Sequence, residues 1–195
     1  MSNQASLGNI SEDSGKGSKS ATSDQESDNW KSVRLKKILS LEYGDNLPTG
    51  DRDEGDIPVY GANGKVDTHS EASVEKPGVI IGRKGSIAES VFSKEPFWPI
   101  DTTYYISDDE TDENLYYIHY LLDQLDLQRF NAASAIPGLN RNDAYNLKAD
   151  IAPKDEQRRI ASVLYNVDQA ISKTEEIIEQ TQRVKKGLMQ DLFTE

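Results

Sequence analysis

Cysteine does not occur anywhere in the 195 residues. Its absence excludes a disulfide framework, thiolate metal sites and a cysteine nucleophile. Histidine occurs only twice, as His69 and His119, and no His-Glu-x-x-His pattern exists. A lone histidine in an apolar setting reads as a packed or surface residue, so no metal site is assigned. No apolar run approaches the ~18 residues of a membrane span. The first ten residues, MSNQASLGNI, lack the basic-then-apolar order of a secretion signal. Positive charge is scarce: 22 Lys and Arg stand against 34 Asp and Glu, a formal net charge of −12. Hydrophobic residues make up only 35%. These proportions predict a cytoplasmic, soluble chain with a modest core beside a disordered piece or a long solvated helix. An acidic surface richer in Asp than Glu also suits a cytoplasm of high ionic strength, where repulsion is screened.

Catalytic patterns are missing too. Gly82-Arg83-Lys84-Gly85-Ser86 places Lys before Gly, whereas a phosphate-binding P-loop needs Gly-Lys followed by Ser or Thr. It reads as a tight turn between strands whose basic groups could touch a polyanion backbone. A restriction nuclease of the common type holds its metal with an acidic residue two positions before a lysine. None of the 14 lysines has one. Glu95-Pro96-Phe97-Trp98-Pro99 does not match the Asn/Asp-Pro-Pro-aromatic element with which amino-methyltransferases hold a base. Asp108-Asp109-Glu110 reads as a solvated face. No catalytic residue and no cofactor is therefore assigned.

What is present falls into three segments. Residues 1–29 are Ser, Gly, Asn, Asp and Gln with almost no large apolar group, and read as a disordered acidic tail. Residues 30–152 carry 13 basic and 21 acidic groups, a net charge of −8 up to residue 150. Trp30, Val33, Leu35, Ile38, Leu39 and Leu41 supply the first apolar cluster. A turn-rich acidic loop over 42–56 precedes a strand at Ile57–Tyr60, which ends in the turn pair Asn63-Gly64. Val79-Ile80-Ile81 is apolar on both faces and so reads as a buried strand. Further strands are expected over 86–92 and Thr102–Ser107. A helix over 112–125, capped by Thr111, would bury Leu115, Ile118, Leu121, Leu122 and Leu125. After the Pro137-Gly138 turn a short segment is expected around Leu147–Ile151.

The third segment, 153–195, changes character. Pro153 suits a helix start, with Asp155 and Glu156 at the positive end of the dipole. Ile160, Leu164, Val167, Ile171, Ile178, Leu188 and Leu192 follow at spacings of 4 and 3, interrupted by Thr174, Thr181 and Lys185. That is a heptad seam. A helix from about 155 to 192 would be ~57 Å long, too long for the preceding domain to cover. The seam therefore predicts pairing with another helix, in preference to a helix packed along its own domain.

Several segments, in order, resemble the specificity subunit of type I restriction–modification systems. They are Trp30–Leu35, Ile57-Pro58-Val59-Tyr60-Gly61-Ala62-Asn63-Gly64, Gly78–Ser86, Phe97-Trp98-Pro99-Ile100-Asp101-Thr102-Thr103, Ala135–Arg141, Pro153–Ala161 and Val184–Phe193. The resemblance spans about 30–195. It implies an α+β fold: one target-recognition domain with a small mixed sheet, then a long C-terminal spacer helix that pairs as an antiparallel coiled coil. It also implies a non-catalytic role: holding double-stranded DNA for a methyltransferase (modification) subunit that methylates adenine and a restriction/translocase subunit. The usual subunit has two recognition domains and two spacer helices, whereas this chain has one of each. A second copy would then supply the other, giving a homodimer through Ile160, Leu164, Val167, Ile171, Ile178 and Leu188.

DNA contact is expected at turns that offer cationic or amide groups without neighbouring acids in the sequence: Asn63, Lys65, Arg83, Lys84, Ser86, Asn140 and Arg141. Arg suits guanine and Asn adenine by two-point contact, while Lys84 suits phosphate. The competing reading is an interaction module that binds the modification subunit without reading DNA, which the acidic domain favours. A standalone nuclease is the third, and the lysine pattern argues against it.

Overall fold

The computed structural model describes residues 29–85, 90–125, 127–130 and 138–193. The expected tail (save Asn29), Ser86 and Ala135–Pro137 lie outside the described residues.

The organising strand is β5 (Gly78–Gly82), every residue of which is buried. It lies inside an antiparallel four-stranded sheet with β2 (Glu42–Tyr43), β6 (Val91–Ser93) and β8 (Thr103–Ser107), ordered β2-β8-β5-β6. Its continuous apolar run is explained by cover on both faces. Val79 and Ile81, with Tyr104 and Ile106 of β8, face α1 (Leu115–Gln124) and its Leu115, Tyr117, Ile118, Leu121 and Leu122. Ile80 points the other way and packs with Val74 and Phe97, bordered by Tyr60 and Tyr105. On that second side lies a three-stranded mixed sheet. Its strands are β3 (Ile57–Gly61), β4 (Gly64–His69) and β7 (Trp98–Pro99), with β3 antiparallel to β4 and parallel to β7. Gly64, at φ 100°, makes the hairpin turn that Asn63-Gly64 predicts.

The third sheet joins distant parts of the chain. β1 (Lys31–Arg34) pairs antiparallel with β9 (Lys148–Ile151), Lys31 lying opposite Ile151. Between β8 and β9 come α1 and the short α2 (Arg141–Asn146). α3 (Lys154–Phe193) follows, 40 residues long. Its rise of 1.5 Å per residue makes it ~60 Å.

Several expectations change in detail. Asn114, not Thr111, caps α1: its side chain accepts from the Tyr117 N–H at 3.0 Å. Thr111 instead accepts from the Glu113 N–H and donates to the Ile38 carbonyl. Trp30 is not a core residue. It is 49% exposed, and its indole N–H donates to Glu156 at 2.9 Å. The polar stretch after Gly138 holds the helix α2, whose six residues are too few to show periodicity. Of the strand expected over 86–92, residues 86–89 lie outside the described residues, Ser90 is not in a strand, and Val91 and Phe92 open β6.

α3 is rooted through its first turns, where Gln157 and Ala161 are buried. Gln157, 1% exposed, accepts from the Asn114 N–H at 3.1 Å and donates to the Ala152 carbonyl and the Glu113 carboxylate at 2.8 and 2.6 Å. A little further along, Tyr120 of α1 donates to Asp168, and Lys94 donates to the Tyr165 hydroxyl. Tyr116 sets its ring edge-on to Tyr165. From Ala170 to Phe193 every residue is exposed.

Gln157→Ala would strand the Asn114 N–H and the Ala152 carbonyl in a buried setting. Each unsatisfied group costs about 1–3 kcal/mol. Urea unfolding should report a loss of about 2–4 kcal/mol, with α3 helicity beyond Ala170 retained in circular dichroism.

Candidate nucleic-acid interface

Four segments meet at one edge of the domain. β5 ends at Gly82, where an added Cβ would sit 2.7 Å from the Ala62 carbonyl oxygen. Glycine there lets the β3–β4 hairpin tip press against the end of β5. The next two residues hang on one acceptor, because the Arg83 and Lys84 N–H groups both donate to the Thr102 carbonyl. The Leu139 N–H then donates to the Arg83 carbonyl at 2.9 Å, and Lys84 bridges Gly138. Segments far apart in sequence are thereby stitched together: 61–64, 82–85, 100–103 and 138–141.

Arg83, Lys84, Asn140 and Arg141 therefore stand together, with Asn63 on the neighbouring hairpin tip. Lys65 lies further along β4, opposite Tyr60, and lines a shallow groove with Phe92 and Lys94. Asn63 and Lys65 are exposed.

The residue that sequence reasoning misses is Tyr43. Its ring carries two guanidinium groups: Arg83 at 5.0 Å and Arg141 at 4.7 Å from the centroid. Tyr104 packs against it at 5.2 Å, and Tyr145 is 6.0 Å from the Arg141 guanidinium. Tyr43 itself is 46% exposed. Burial, reinforced by Tyr43, pushes the Tyr104 phenol up to about 12, against the pull of the two arginines. Tyr104 thus stays neutral and donates to the Leu139 carbonyl at 3.3 Å. Tyr43 sits in the acidic loop 42–56 on a strand of only two residues, which leaves no alternation to detect. Gly44 beside it is the one local clue. A Cβ there would lie 2.2 Å from the Ile100 carbonyl, so the loop can reach this edge only with glycine.

The expectation of cations without neighbouring acids holds along the sequence but not in space. Lys84 pairs with the Asp101 carboxylate at 2.7 Å. Arg83 gives two N–H bonds to the Asp101 carbonyl, at 3.2 and 2.6 Å. Arg141 donates to the Leu41 carbonyl at 3.3 Å. Asn140 caps α2, accepting from the Asn142 N–H at 2.8 Å. That commits the oxygen a two-point contact to adenine would use. The Lys84–Asp101 pair is half-exposed and worth ~0–1 kcal/mol, so a phosphate can displace the carboxylate. Both arginines thus hold a backbone carbonyl while their guanidinium groups lie over the Tyr43 ring.

Ser90, His119 and Asp123 also converge, but not as a relay. Ser90 Oγ lies 2.7 Å and Asp123 Oδ2 3.8 Å from the same ring nitrogen, His119 Nδ1. A relay needs the two partners on opposite nitrogens. Ser90 also gives its hydroxyl and its N–H to Asp123 Oδ1, both at 2.8 Å, so the cluster ties the start of β6 to α1. His69 is buried and accepts from the Asp53 N–H, its ring edge-on to Trp98. Among the described residues no group of three or more His, Asp or Glu could hold a metal ion, and no helix is long and apolar enough to cross a membrane.

The α+β domain thus brings Arg83, Arg141 and three tyrosines to one edge, and a long helix projects from it. Residues 27–183 match the type I restriction modification DNA specificity domain, and the chain belongs to that family. The type I restriction enzyme MjaVIII specificity subunit of Methanocaldococcus jannaschii is 26% identical over 117 residues, covering 60% of this chain and 25% of that protein. A provisionally named MjaX specificity subunit of the same archaeon is 33% identical over 84 residues, 40% of this chain and 20% of the relative. The S subunit structure from M. genitalium superposes with a TM-score of 0.69 at 16% identity, over 87% of this chain and 47% of that one. The HsdS subunit of Thermoanaerobacter tengcongensis gives 0.55 at 17% identity, over 82% and 42%. The chain thus spans a quarter or less of the curated relatives and under half of the solved subunits.

Tyr43→Ala removes the platform shared by two guanidinium groups, each contact being worth about 0.5–1 kcal/mol. Binding of duplex DNA, read by fluorescence anisotropy, should weaken about 5- to 30-fold, with Tyr43→Phe near wild type.

Proposed function

We propose that the chain is a non-catalytic, sequence-reading specificity subunit carrying a single recognition domain. Residues 30–152 read double-stranded DNA, and residues 153–195 form the spacer. The observation that carries this reading is the meeting of sequence-distant segments at one edge, where Arg83 and Arg141 share the Tyr43 platform. That gathers the cations of an acidic domain at one edge. Arg83, Lys84 and Arg141 meet the DNA there, with Asn63 on the hairpin tip, Lys65 on β4 and Asn140 ordering α2 behind them; Ser86, outside the described residues, is the remaining expected contact. Held by this edge, the DNA is presented to a methyltransferase subunit for adenine methylation and to a restriction/translocase subunit for cleavage. The chain itself supplies neither chemistry nor cofactor. Its place of action is the cytoplasm.

A second copy completes the unit by antiparallel pairing of α3, whose apolar seam is exposed from Ile171 onward. The contact is self-complementary and two-fold symmetric. Two identical domains then stand at opposite ends of a rod and read an inverted repeat of two short half-sites with an unspecified gap. A domain of net charge −8 binds DNA weakly alone, since few condensed cations are displaced, and the modification subunit supplies the missing positive charge. The same acidity, with Lys84 already paired to Asp101, favours the second reading: a module that occupies the modification subunit without reading DNA.

Selection from random-sequence duplexes, with and without the modification subunit, separates the two. Enrichment of a gapped inverted repeat by the complex supports sequence reading. Co-purification without enrichment supports the second. Within the first reading, Lys84→Ala should weaken binding to all sequences and lower the salt slope by about 1. Arg141→Ala should relax preference at one base, costing about 1–3 kcal/mol of discrimination. Ile171→Asp with Ile178→Asp should give monomers in sedimentation, because the carboxylates would be buried without partners.

A further inference from the structure

Two apolar rows run along the exposed length of α3. One is the seam of Leu164, Val167, Ile171, Ile178, Leu188 and Leu192. The other lies one residue before alternate seam positions: Val163, Ile177 and Val184, each 61–62% exposed. In a parallel pair Val163 would face Asp168 of the mate and Ile177 would face Gln182, leaving only Val184 against an apolar side chain, Met189. In an antiparallel pair this row faces its own copy. The width of the stripe therefore favours antiparallel pairing.

Charge and packing fix the register. Asp168, Glu175, Glu176 and Glu179, relieved only by Lys173, are followed by Arg183, Lys185 and Lys186. Full overlap would set Ile160 beside the mate's Leu192. It would also bring Glu175 against its own copy at the two-fold axis and the acidic block against itself. Like charges so placed disfavour the pairing. Ile160 is not available in any case, because it is half-buried against its own domain core. That removes it from the seam in which the heptad spacing places it. Thr174 and Thr181 donate to the Ala170 and Ile177 carbonyls of their own helix, at 2.8 and 2.7 Å, so they demand nothing of a mate.

We propose that a second copy docks one heptad short of full overlap. Val167 then lies opposite the mate's Leu192, Ile171 opposite Leu188, Thr174 opposite Lys185 and Ile178 opposite Thr181. Ile177 packs beside Val184, and the acidic block faces the stretch containing Arg183. Lys185 meets a threonine whose hydroxyl is already bonded, and a single lysine at a seam position specifies register. The two-fold axis passes between residues 179 and 180. It stands ~38 Å from the start of α3, so the two domain roots are ~76 Å apart. This assignment rests on the self-pairing proposed above.

The absence of cysteine makes the test clean. Three double variants of the full chain share Leu188→Cys and add Leu164→Cys, Ile171→Cys or Ile178→Cys, one for each heptad step. A disulfide needs Cα atoms within ~7 Å, and one heptad of slip moves them by ~10 Å. After mild oxidation, Ile171→Cys/Leu188→Cys should form the covalent dimer at least ~10-fold faster than either alternative. Each reduced variant is checked as a dimer by sedimentation. Faster cross-linking of either other pair overturns the register alone, and so does self-linking of the single Ile171→Cys variant, which marks a parallel pair. A wild-type chain that sediments as a monomer overturns the register together with the self-pairing it rests on.

Discussion

One buried amide connects the two halves of the molecule. Gln157 reaches from the first turns of α3 to the N-cap of α1, the carbonyl before the helix and the Glu113 carboxylate. Such a side chain is nearly valueless on a surface and costly to leave unpaired inside. Its three partners belong to segments that β5, β9 and α1 must first bring together. The helix can therefore take its direction only when the domain is folded, and Tyr120–Asp168 and Lys94–Tyr165 then hold it for about two further turns. The rest of the rod inherits its bearing from this root.

The parts of the fold that sequence shows are those with a long or distinctive pattern. The run Val79–Ile81 announces a strand covered on both faces, and the 4–3 seam announces a helix of nearly the observed length. Asn63-Gly64 places the hairpin. What sequence does not show depends on pairing between short, distant pieces. β2 and β7 have two residues each, and Tyr43 acquires its role only when β2 joins β8. The cap of α1 shifts from Thr111 to Asn114 because Thr111 is drawn to the Ile38 carbonyl, a contact 73 residues away. For the interface, turn chemistry locates the basic residues. It does not disclose that Asp101, 17 residues along the chain, answers Lys84. The seam fails at Ile160 for a related reason: periodicity cannot tell which of two surfaces claims a residue lying near both.

The acidic domain and the cationic edge are compatible because the edge is made by concentration, not by excess. Two guanidinium groups share one phenol ring, and each also binds a backbone carbonyl. Those carbonyls fix the side chains without adding charge. A stacked arginine has lost most of its rotamer freedom before any ligand arrives, so little entropy remains to be lost on contact. Tyr104, neutral, buried and hydrogen-bonded to the Leu139 carbonyl, supports the Tyr43 ring from the inner side. An edge of this kind orients what it touches more than it attracts it.

The pairing of β1 with β9 has a consequence for how such chains change over time. Lys31 lies opposite Ile151, and Trp30 touches Glu156, so the chain enters and leaves the domain at a single point beside the foot of the helix. A block bounded in this way is a cassette. Everything between its two ends can be exchanged for another sequence of the same layout while the rod, its seam and its length stay as they were. The content of the block and the length of the helix can thereby change separately, within one polypeptide.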